Sequence, residues 1–134
     1  ATFYITGVQL ETGTTATDFE HLQYGTQLAL CQRYYTKISA TSSYTGFATG
    51  MATSTTAGQF GLMYPTTMRA NPTIAFSNVG INNPSQTSAT LTGQFTGNNS
   101  AMVQFSSTSL TTNQALVVNA NNNASAYIDM SSEL

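Results

Sequence analysis

From residue 40 onward, turn-forming residues interrupt the chain about every ten positions, and no 3.6-residue periodicity appears between them. Threonine, a β-branched residue that favours strands, is abundant in these intervals. Strands without intervening helices favour an antiparallel sandwich over an α/β arrangement. The sequence therefore predicts an all-β fold, an antiparallel, jelly-roll-like β-sandwich with one short N-terminal helix. Strands are predicted around residues 47–51, 60–64, 74–76, 91–95, 102–105, 115–119 and 126–130.

Turn chemistry predicts how these strands connect. Pro65 ends one strand, and Met68 in the loop after it is a predicted core plug. Residues 97–99, Gly-Asn-Asn, predict a tight hairpin because Gly and Asn tolerate positive φ. Residues 79–81 are expected to extend the strand at 74–76, and residues 81–88 are expected to form a loop. The Asn-rich residues 120–124 are expected to close a hairpin between the last two strands.

The first third of the chain has a different pattern. Residues 3–11 predict a strand whose alternation switches phase at Gly7, as expected of a β-bulge. A turn-rich link, residues 12–17, follows, and Phe19 and Leu22 are spaced to anchor it on an apolar surface. The Thr26 hydroxyl is a predicted N-cap of a helix ending near Gln32, with strand structure after it. We therefore expect a connector, residues 1–25, leading into a distal β-sandwich domain, residues 26–134.

Low charge limits the partners that the chain can bind. Only 6% of the residues are charged, against roughly 25% in an average domain, and the net charge is −2. Three basic residues cannot neutralise a row of phosphates, which excludes nucleic acid as an expected partner. Weak electrostatic repulsion permits self-association. No apolar run is long enough for a membrane span, so membrane insertion is not expected. Because the sequence starts with Ala1 and a strand-like run, we expect a piece of a longer polypeptide.

Reactive residues are few. Asp18, Glu20 and His21 lie close together, but no nucleophile motif accompanies them, and an enzyme is not expected. One His and one Cys match no zinc spacing, so no metal or other cofactor is predicted, although calcium bound by carboxylates and backbone carbonyls stays open. The single cysteine, Cys31, cannot form an intrachain disulfide, and we expect it to be a small buried apolar residue.

Recognition is the remaining class of function. Exposed aromatic rings and amide groups suit neutral sugars, whereas the alternative is that the aromatics belong to the core and the asparagines form turns. The predicted ligand-binding residues are Tyr44, Asn82, Asn83, Asn98, Asn99, Asn121, Asn122 and Asn123.

Three motifs together resemble a known family. ITGVQLETGTTATDFEH (residues 5–21), followed by YGTQLALCQRYY (24–35), is similar to the segment that joins a jelly-roll, carbohydrate-binding-like module to the distal domain of tailed-bacteriophage tail fibre or virion structural proteins. PTTMRANPTI (65–74) resembles the "fP..MR..PT" loop of those domains, and IDMSSEL (128–134) resembles their closing "DAEL". The motifs occur in the family's order, and the stretches between them match nothing recognisable.

The resemblance implies a C-terminal receptor-binding tip on the virion, usually homotrimeric, that follows an upstream module and binds a host-cell receptor such as a surface glycan. Ile5, Val8 and Leu10 would then belong to the upstream module's closing strand. We expect Arg33 and Arg69 to form ion pairs or to bind backbone carbonyls near a subunit interface. The full set of implied assembly residues is Leu28, Cys31, Arg33, Tyr35 and Arg69.

Three alternatives stay open at the level of sequence. The chain could be a purely structural knob that trimerises and caps a fibre, or a secreted carbohydrate-binding module, which would be monomeric. It could also be a glycan hydrolase, which needs two carboxyl groups about 5 to 10 Å apart in a cleft. Only five acids are available, Glu11, Asp18, Glu20, Asp129 and Glu133, so a hydrolase would have to share a site between subunits.

Overall fold

The computed structural model describes residues 2, 5–6, 8–15, 17–18, 21–82 and 85–132. These residues form one helix and ten strands in two antiparallel sheets, which confirms the all-β, sandwich-like prediction. Helix α1 spans Tyr24–Gln32. The strands are β1 (Tyr35–Ser39), β2 (Gly46–Ala52), β3 (Ala57–Met63), β4 (Thr73–Ser77), β5 (Gly80–Asn82), β6 (Gln86–Ser88), β7 (Thr90–Thr96), β8 (Ser100–Ser106), β9 (Ala115–Asn119) and β10 (Tyr127–Ser131).

Seven strands form one sheet in the order β6-β5-β9-β2-β3-β8-β7. Its edge strands, β6 and β7, are consecutive in the chain and separated only by Ala89. A flat sheet of seven strands would be about 29 Å wide, which a one-residue link cannot cross, so the sheet curls until its edges approach each other. Ser107, which follows β8, holds this closure. Its hydroxyl donates to the Ser88 carbonyl at 2.7 Å and lies 2.6 Å from Thr87 Oγ1.

The second sheet has three strands in the order β1-β10-β4, with the C-terminal β10 in the middle. Side chains alternate along β10, where Ile128 and Met130 are fully buried and Asp129 faces outward. The edge strand β4 lies next to β7 of the larger sheet. There the Ile74 amide donates to Gln94 Oε1 at 2.7 Å, so a side chain satisfies a backbone donor where the ladder stops.

The inner faces of both sheets supply one hydrophobic core. Phe60 of β3 and Phe105 of β8 are adjacent at its centre, with ring centroids 6.2 Å apart and planes tilted by 37°. Met68 is buried, and its amide donates to the Asn98 carbonyl at 2.7 Å. The prediction that Met68 plugs the core is therefore confirmed, and its loop is fastened to the β7–β8 hairpin, which was also predicted.

The predicted hairpin between the last two strands is wrong. β9 pairs with β2 and β5 in the seven-stranded sheet, whereas β10 pairs with β1 and β4 in the other sheet. The intervening residues 120–126 cross from one sheet to the other. Turn chemistry fixed the position of the bend but could not distinguish a hairpin from a crossover.

Two expectations about residues 74–88 are also wrong. Asn78 has a φ of 55°, so the chain turns sharply, and β5 joins the other sheet instead of extending β4. The predicted loop at 81–88 contains β6, which pairs with β5 from Gly80↔Ser88 to Asn82↔Gln86. Its polar sequence, Gln-Thr-Ser, has no apolar alternation to reveal a strand.

None of the described residues before Tyr24 belongs to a strand, contrary to the expectation for residues 3–11. Val8 and Leu10 are exposed, because no neighbouring strand pairs with them. Glu11 instead holds a local turn: its carboxylate accepts from the Thr17 hydroxyl at 2.6 Å and the Thr17 amide at 2.7 Å, which lowers the pKa of Glu11. The predicted bulge at Gly7 and the anchor Phe19 lie outside the described residues.

Helix α1 ends at Gln32 as predicted but begins earlier than expected. Gln23 is the N-cap and makes no side-chain capping bond, so the prediction that Thr26 caps the helix is wrong. Thr26 lies inside the first turn, where its amide donates to the Gln23 carbonyl. No residue of α1 is buried, and Cys31 is exposed. The expectation that Cys31 is buried is therefore wrong within one chain, because the two β-sheets begin after the end of the helix and do not cover it.

Two glycines of β3 give a matched test of the packing. A Cβ at Gly58 would collide with Phe105 Cζ and lie 2.9 Å from the Met51 carbonyl oxygen, whereas a Cβ at Gly61 would meet nothing within 4 Å. Gly58→Ala should lower the free energy of unfolding by about 1–3 kcal/mol, because the core must shift. Gly61→Ala should be neutral or stabilising by about 0.5–1 kcal/mol. Urea unfolding of both variants measures this, and equal stabilities would contradict it.

Candidate functional site

The outward face of the three-stranded sheet carries a group of polar and aromatic side chains. Tyr35 and Lys37 of β1 and Tyr127 and Asp129 of β10 alternate with residues that point into the core. The strand register places Lys37 opposite Asp129, and Tyr127 opposite Ser39. Lys37 and Asp129 are two of only eight charged residues in the chain, so this face concentrates unlike charges beside two aromatic rings.

These four side chains contact one another in two pairs. Lys37 Nζ lies 3.7 Å from the centroid of the Tyr127 ring, a cation–π contact of the kind that contributes about 0.5–1 kcal/mol at an exposed site. The Tyr35 hydroxyl donates to Asp129 Oδ2 at 3.4 Å. Partial desolvation, and then the Asp129 carboxylate, raise the pKa of Tyr35 above its ordinary value of 10.0.

Two loops extend this face at one end. Residues 40–45 and 120–126 lie side by side, because the Ala40 amide donates to the Ala126 carbonyl at 2.8 Å and the Ala120 amide donates to the Thr45 carbonyl at 3.0 Å. Tyr127 immediately follows the second loop, so loops and face are continuous. Tyr44 is 59% exposed, and Asn122 is exposed as well. We call Tyr44, Asn122, Lys37, Tyr127 and Asp129 the distal surface.

The loop at 40–45 is braced by its own hydroxyl groups. Thr45 Oγ1 accepts from the amides of Thr41 at 3.0 Å and Ser42 at 2.9 Å. The same hydroxyl donates to the Ser42 carbonyl at 3.1 Å. These bonds hold the backbone on both sides of Tyr44, so its exposed ring is carried by an ordered turn.

Two of the predicted ligand-binding asparagines are used to build the fold. Asn121 donates through Nδ2 to Ser88 Oγ at 3.0 Å and accepts at Oδ1 from Gln86 Nε2 at 3.2 Å. Asn123 Oδ1 accepts from the Ser125 amide at 2.8 Å. Asn121 and Asn122 have φ of 45° and 58°, conformations that asparagine tolerates in turns. For Asn121 and Asn123, the alternative that the asparagines form turns describes the structure better than ligand binding does.

The side chains that fix this loop were not singled out from the sequence. Gln86 and the buried Asn119 form a reciprocal amide pair, with bonds of 2.8 and 3.0 Å. The pair joins β6 to the end of β9, two strands that flank β5. Neither amide stands out in an Asn- and Gln-rich chain, because only the strand register brings them together.

The other predicted ligand residues lie elsewhere. Asn98 and Asn99 form the exposed β7–β8 turn, and their carbonyls accept from the amides of Met68 and Tyr64. The loop that carries Met68 is also bound to the end of α1, since the Arg69 amide donates to the Arg33 carbonyl at 2.7 Å. Asn82 is exposed at the end of β5, and Asn83 lies outside the described residues. The described members of the predicted set therefore lie in three places: the paired loops 40–45 and 120–126, the β7–β8 turn, and the end of β5.

The predicted assembly residues surround the junction of α1 and β1. The Arg33 carbonyl accepts from Ser132 Oγ at 2.8 Å as well as from Arg69, and the Ser132 amide donates to the Tyr34 carbonyl at 2.8 Å. The Arg69 guanidinium carbon lies 5.6 Å from the Tyr34 ring centroid. Arg33 thus takes part through its backbone, and the role of both guanidinium groups at a subunit interface stays a prediction.

A cluster of metal ligands and a membrane-spanning helix are both absent from the described part of the chain. No group of three or more His, Cys, Asp or Glu side chains there could hold a metal ion. Within the same residues, no helix is long and apolar enough to cross a membrane.

Comparison with known proteins assigns no family. No protein-family model matches the chain, and no curated protein or solved structure matches it.

Asp129→Asn should lower the pKa of Tyr35 part of the way towards 10.0, because the partial desolvation of this exposed side chain remains and only the carboxylate's contribution is lost. Tyrosine NMR titration measures this shift. The buried Tyr64 is the internal control, since burial alone raises its pKa. The pKa of Tyr35 is higher in the folded than in the unfolded chain, so the protonated phenol favours the folded state. This contribution to stability is fully present below pH 10 and is lost as the pH rises through the folded-state pKa. An unchanged Tyr35 titration would contradict the contact.

Proposed function

We propose that the chain is the distal tip of a tailed-bacteriophage fibre, a jelly-roll-like sandwich that assembles as a homotrimer and binds a glycan on the bacterial surface. The three family-like motifs support this proposal. The body is an all-β sandwich of low charge, as expected of a tip that presents loops from a stable scaffold.

The observation that carries the proposal is the exposure of α1. Tyr24, Leu28 and Leu30 are exposed large hydrophobic side chains on a helix with no buried residue. Nine residues are too few for a stable isolated helix, because nucleation costs more than so few hydrogen bonds return. A helix of this kind needs a partner that buries it. A neighbouring subunit supplies one, and the chain's net charge of −2 opposes such assembly only weakly.

The distal surface supports glycan binding by its chemistry. Aromatic rings such as those of Tyr44 and Tyr127 pack against the apolar C–H face of a pyranose. Lys37 donates and Asp129 accepts hydrogen bonds, and the Asn122 amide does both, which suits the hydroxyl groups of a neutral sugar. Three such sites on one trimer act together, so weak single-site binding becomes avid through effective concentration.

A purely structural knob is the second candidate. It is favoured by Asn121 and Asn123, whose side-chain hydrogen bonds complete the loop instead of being offered to a ligand. Such a knob would trimerise through the same helix and bind no cell.

Cell binding by the fluorescently labelled protein separates the two candidates. Tyr44→Ala combined with Tyr127→Ala should weaken binding to host cells by about tenfold or more, since the loss at each site is multiplied across the trimer. Light scattering should show the same trimer mass. Thr108→Ala combined with Thr112→Ala is the matched control, because these exposed residues lie in the loop between β8 and β9, at the opposite end of β2 from Thr45, and should leave binding unchanged.

Each outcome bears on one part of the proposal. A trimeric wild-type protein that binds no cell and no glycan on an array favours the structural knob. Binding that survives loss of both tyrosines removes the distal surface from the proposal. A monomer at micromolar concentration contradicts the fibre-tip assembly.

A further inference from the structure

The outer face of the seven-stranded sheet, opposite the core, exposes large hydrophobic side chains on several strands. Phe95 of β7 pairs with Met102 of β8, which pairs in turn with Gly61 of β3. Met51 of β2 pairs with Gln59 of β3, and Val117 of β9 with Thr49 of β2. Because directly paired residues and alternate residues of a strand point to the same side, these positions share one face. Its exposed large hydrophobic residues are Met51, Met63, Phe95, Met102 and Val117.

This outer face has no charge to attract or orient a charged partner. Strands β2, β3, β7, β8 and β9 contain no Asp, Glu, Lys or Arg. Phe95 is 61% and Met63 75% exposed. Single exposed apolar residues are normal on a protein surface, but several on one face mark an interaction site. The partner that fits is an apolar, uncharged element.

Helix α1 is such an element. Its sequence, Tyr-Gly-Thr-Gln-Leu-Ala-Leu-Cys-Gln, contains no charge. Tyr24, Leu28 and Cys31 are spaced i, i+4 and i+7, which places them on one side of the helix. Nine residues make a helix about 13.5 Å long, and adjacent strands lie about 4.8 Å apart, so the helix can contact the neighbouring strands β3, β8 and β7 on the outer face of the curled sheet.

The helix of the same chain does not cover this face. Only Arg33 and Tyr34 separate α1 from β1, which belongs to the other sheet, so the end of the helix lies within about 11 Å of β1. Hydrogen bonds from Arg69 and Ser132 to the Arg33 carbonyl hold that junction. In this position none of the helix is buried. A second copy of the chain can supply the missing partner to both surfaces.

We infer that α1 of one subunit packs across the outer face of the seven-stranded sheet of the next subunit. The contact joins two different surfaces, and such head-to-tail contacts close into a ring when the rotation allows it. The inference rests on the proposed trimer and names the contact that builds it. Gly61, where a Cβ would meet nothing within 4 Å, leaves the middle of the face open to an approaching helix.

The single cysteine of the chain permits a direct cross-linking test. In Gly61→Cys, mild oxidation should join Cys31 of one subunit to position 61 of the next. Mass spectrometry of mixed ¹⁴N- and ¹⁵N-labelled chains should show that the bond joins different chains. Ser39→Cys is the matched control, because Ser39 is exposed on β1, which belongs to the other sheet. It should give no cross-link to Cys31.

Mixing two variants tests whether the contact is head to tail. Leu28→Asp should stop the helix from binding, and Met102→Asp should stop the outer face from accepting it. Both side chains are exposed, so each variant should fold but should not form the trimer. Their equimolar mixture should form a heterodimer, because the intact helix of one variant meets the intact face of the other. Packing of helix against helix would give no such recovery.

The outcomes distinguish this inference from the function on which it rests. A trimer in which Gly61→Cys forms no cross-link, or in which wild-type Cys31 joins Cys31, overturns the helix-on-sheet contact and leaves the proposed trimer standing. A mixture that stays monomeric also overturns it. A wild-type monomer contradicts both proposals, whereas cross-linking together with heterodimer recovery supports both.

Discussion

The pairing of β10 between β1 and β4 is the interaction on which most of the structure depends. This strand comes last in the chain, yet it joins the first strand to the middle of the sequence and directs Ile128 and Met130 into the core. Its outward residues, Tyr127 and Asp129, form half of the polar face. The residue that follows it, Ser132, binds the carbonyl of Arg33 and so holds the end of α1. One strand thus links the core, the distal surface and helix α1.

Scarcity of charge gives the molecule two different kinds of surface. The five strands of the outer face and helix α1 contain no charged residue, so covering their exposed hydrophobic side chains would require no ion to be desolvated. Lys37 and Asp129 instead lie on the small sheet, beside loops that expose Tyr44 and Asn122. The exposed hydrophobic side chains and the polar distal surface therefore occupy different parts of the same chain.

Local pattern was informative wherever one residue and its neighbours decided the outcome. The end of α1, the burial of Phe60, Leu62 and Met68, and the hairpin at 97–99 were all predictable. Prediction failed where the choice of partner mattered. The β9–β10 connection and the placement of β5 depend on which sheet each strand joins, and short-range turn signals are the same for either result. Cys31 was misplaced because apolar spacing indicates a face to bury but not the molecule that buries it.

The candidate site shows the same division. Alternation in β1 and β10 already separates Tyr35, Lys37, Tyr127 and Asp129 from the apolar residues between them, because strand geometry alone sends neighbouring side chains to opposite faces. Only the tertiary register brings Lys37 over Tyr127 and Tyr35 to Asp129, since the members of each pair are 90 or more positions apart in the sequence and either strand could have paired elsewhere. By itself the sequence determined a sparsely charged, all-β chain with one short helix. Tertiary pairing decided which asparagines complete the fold, which aromatics reach solvent and which apolar faces remain uncovered, because these depend on contacts between residues far apart in the chain.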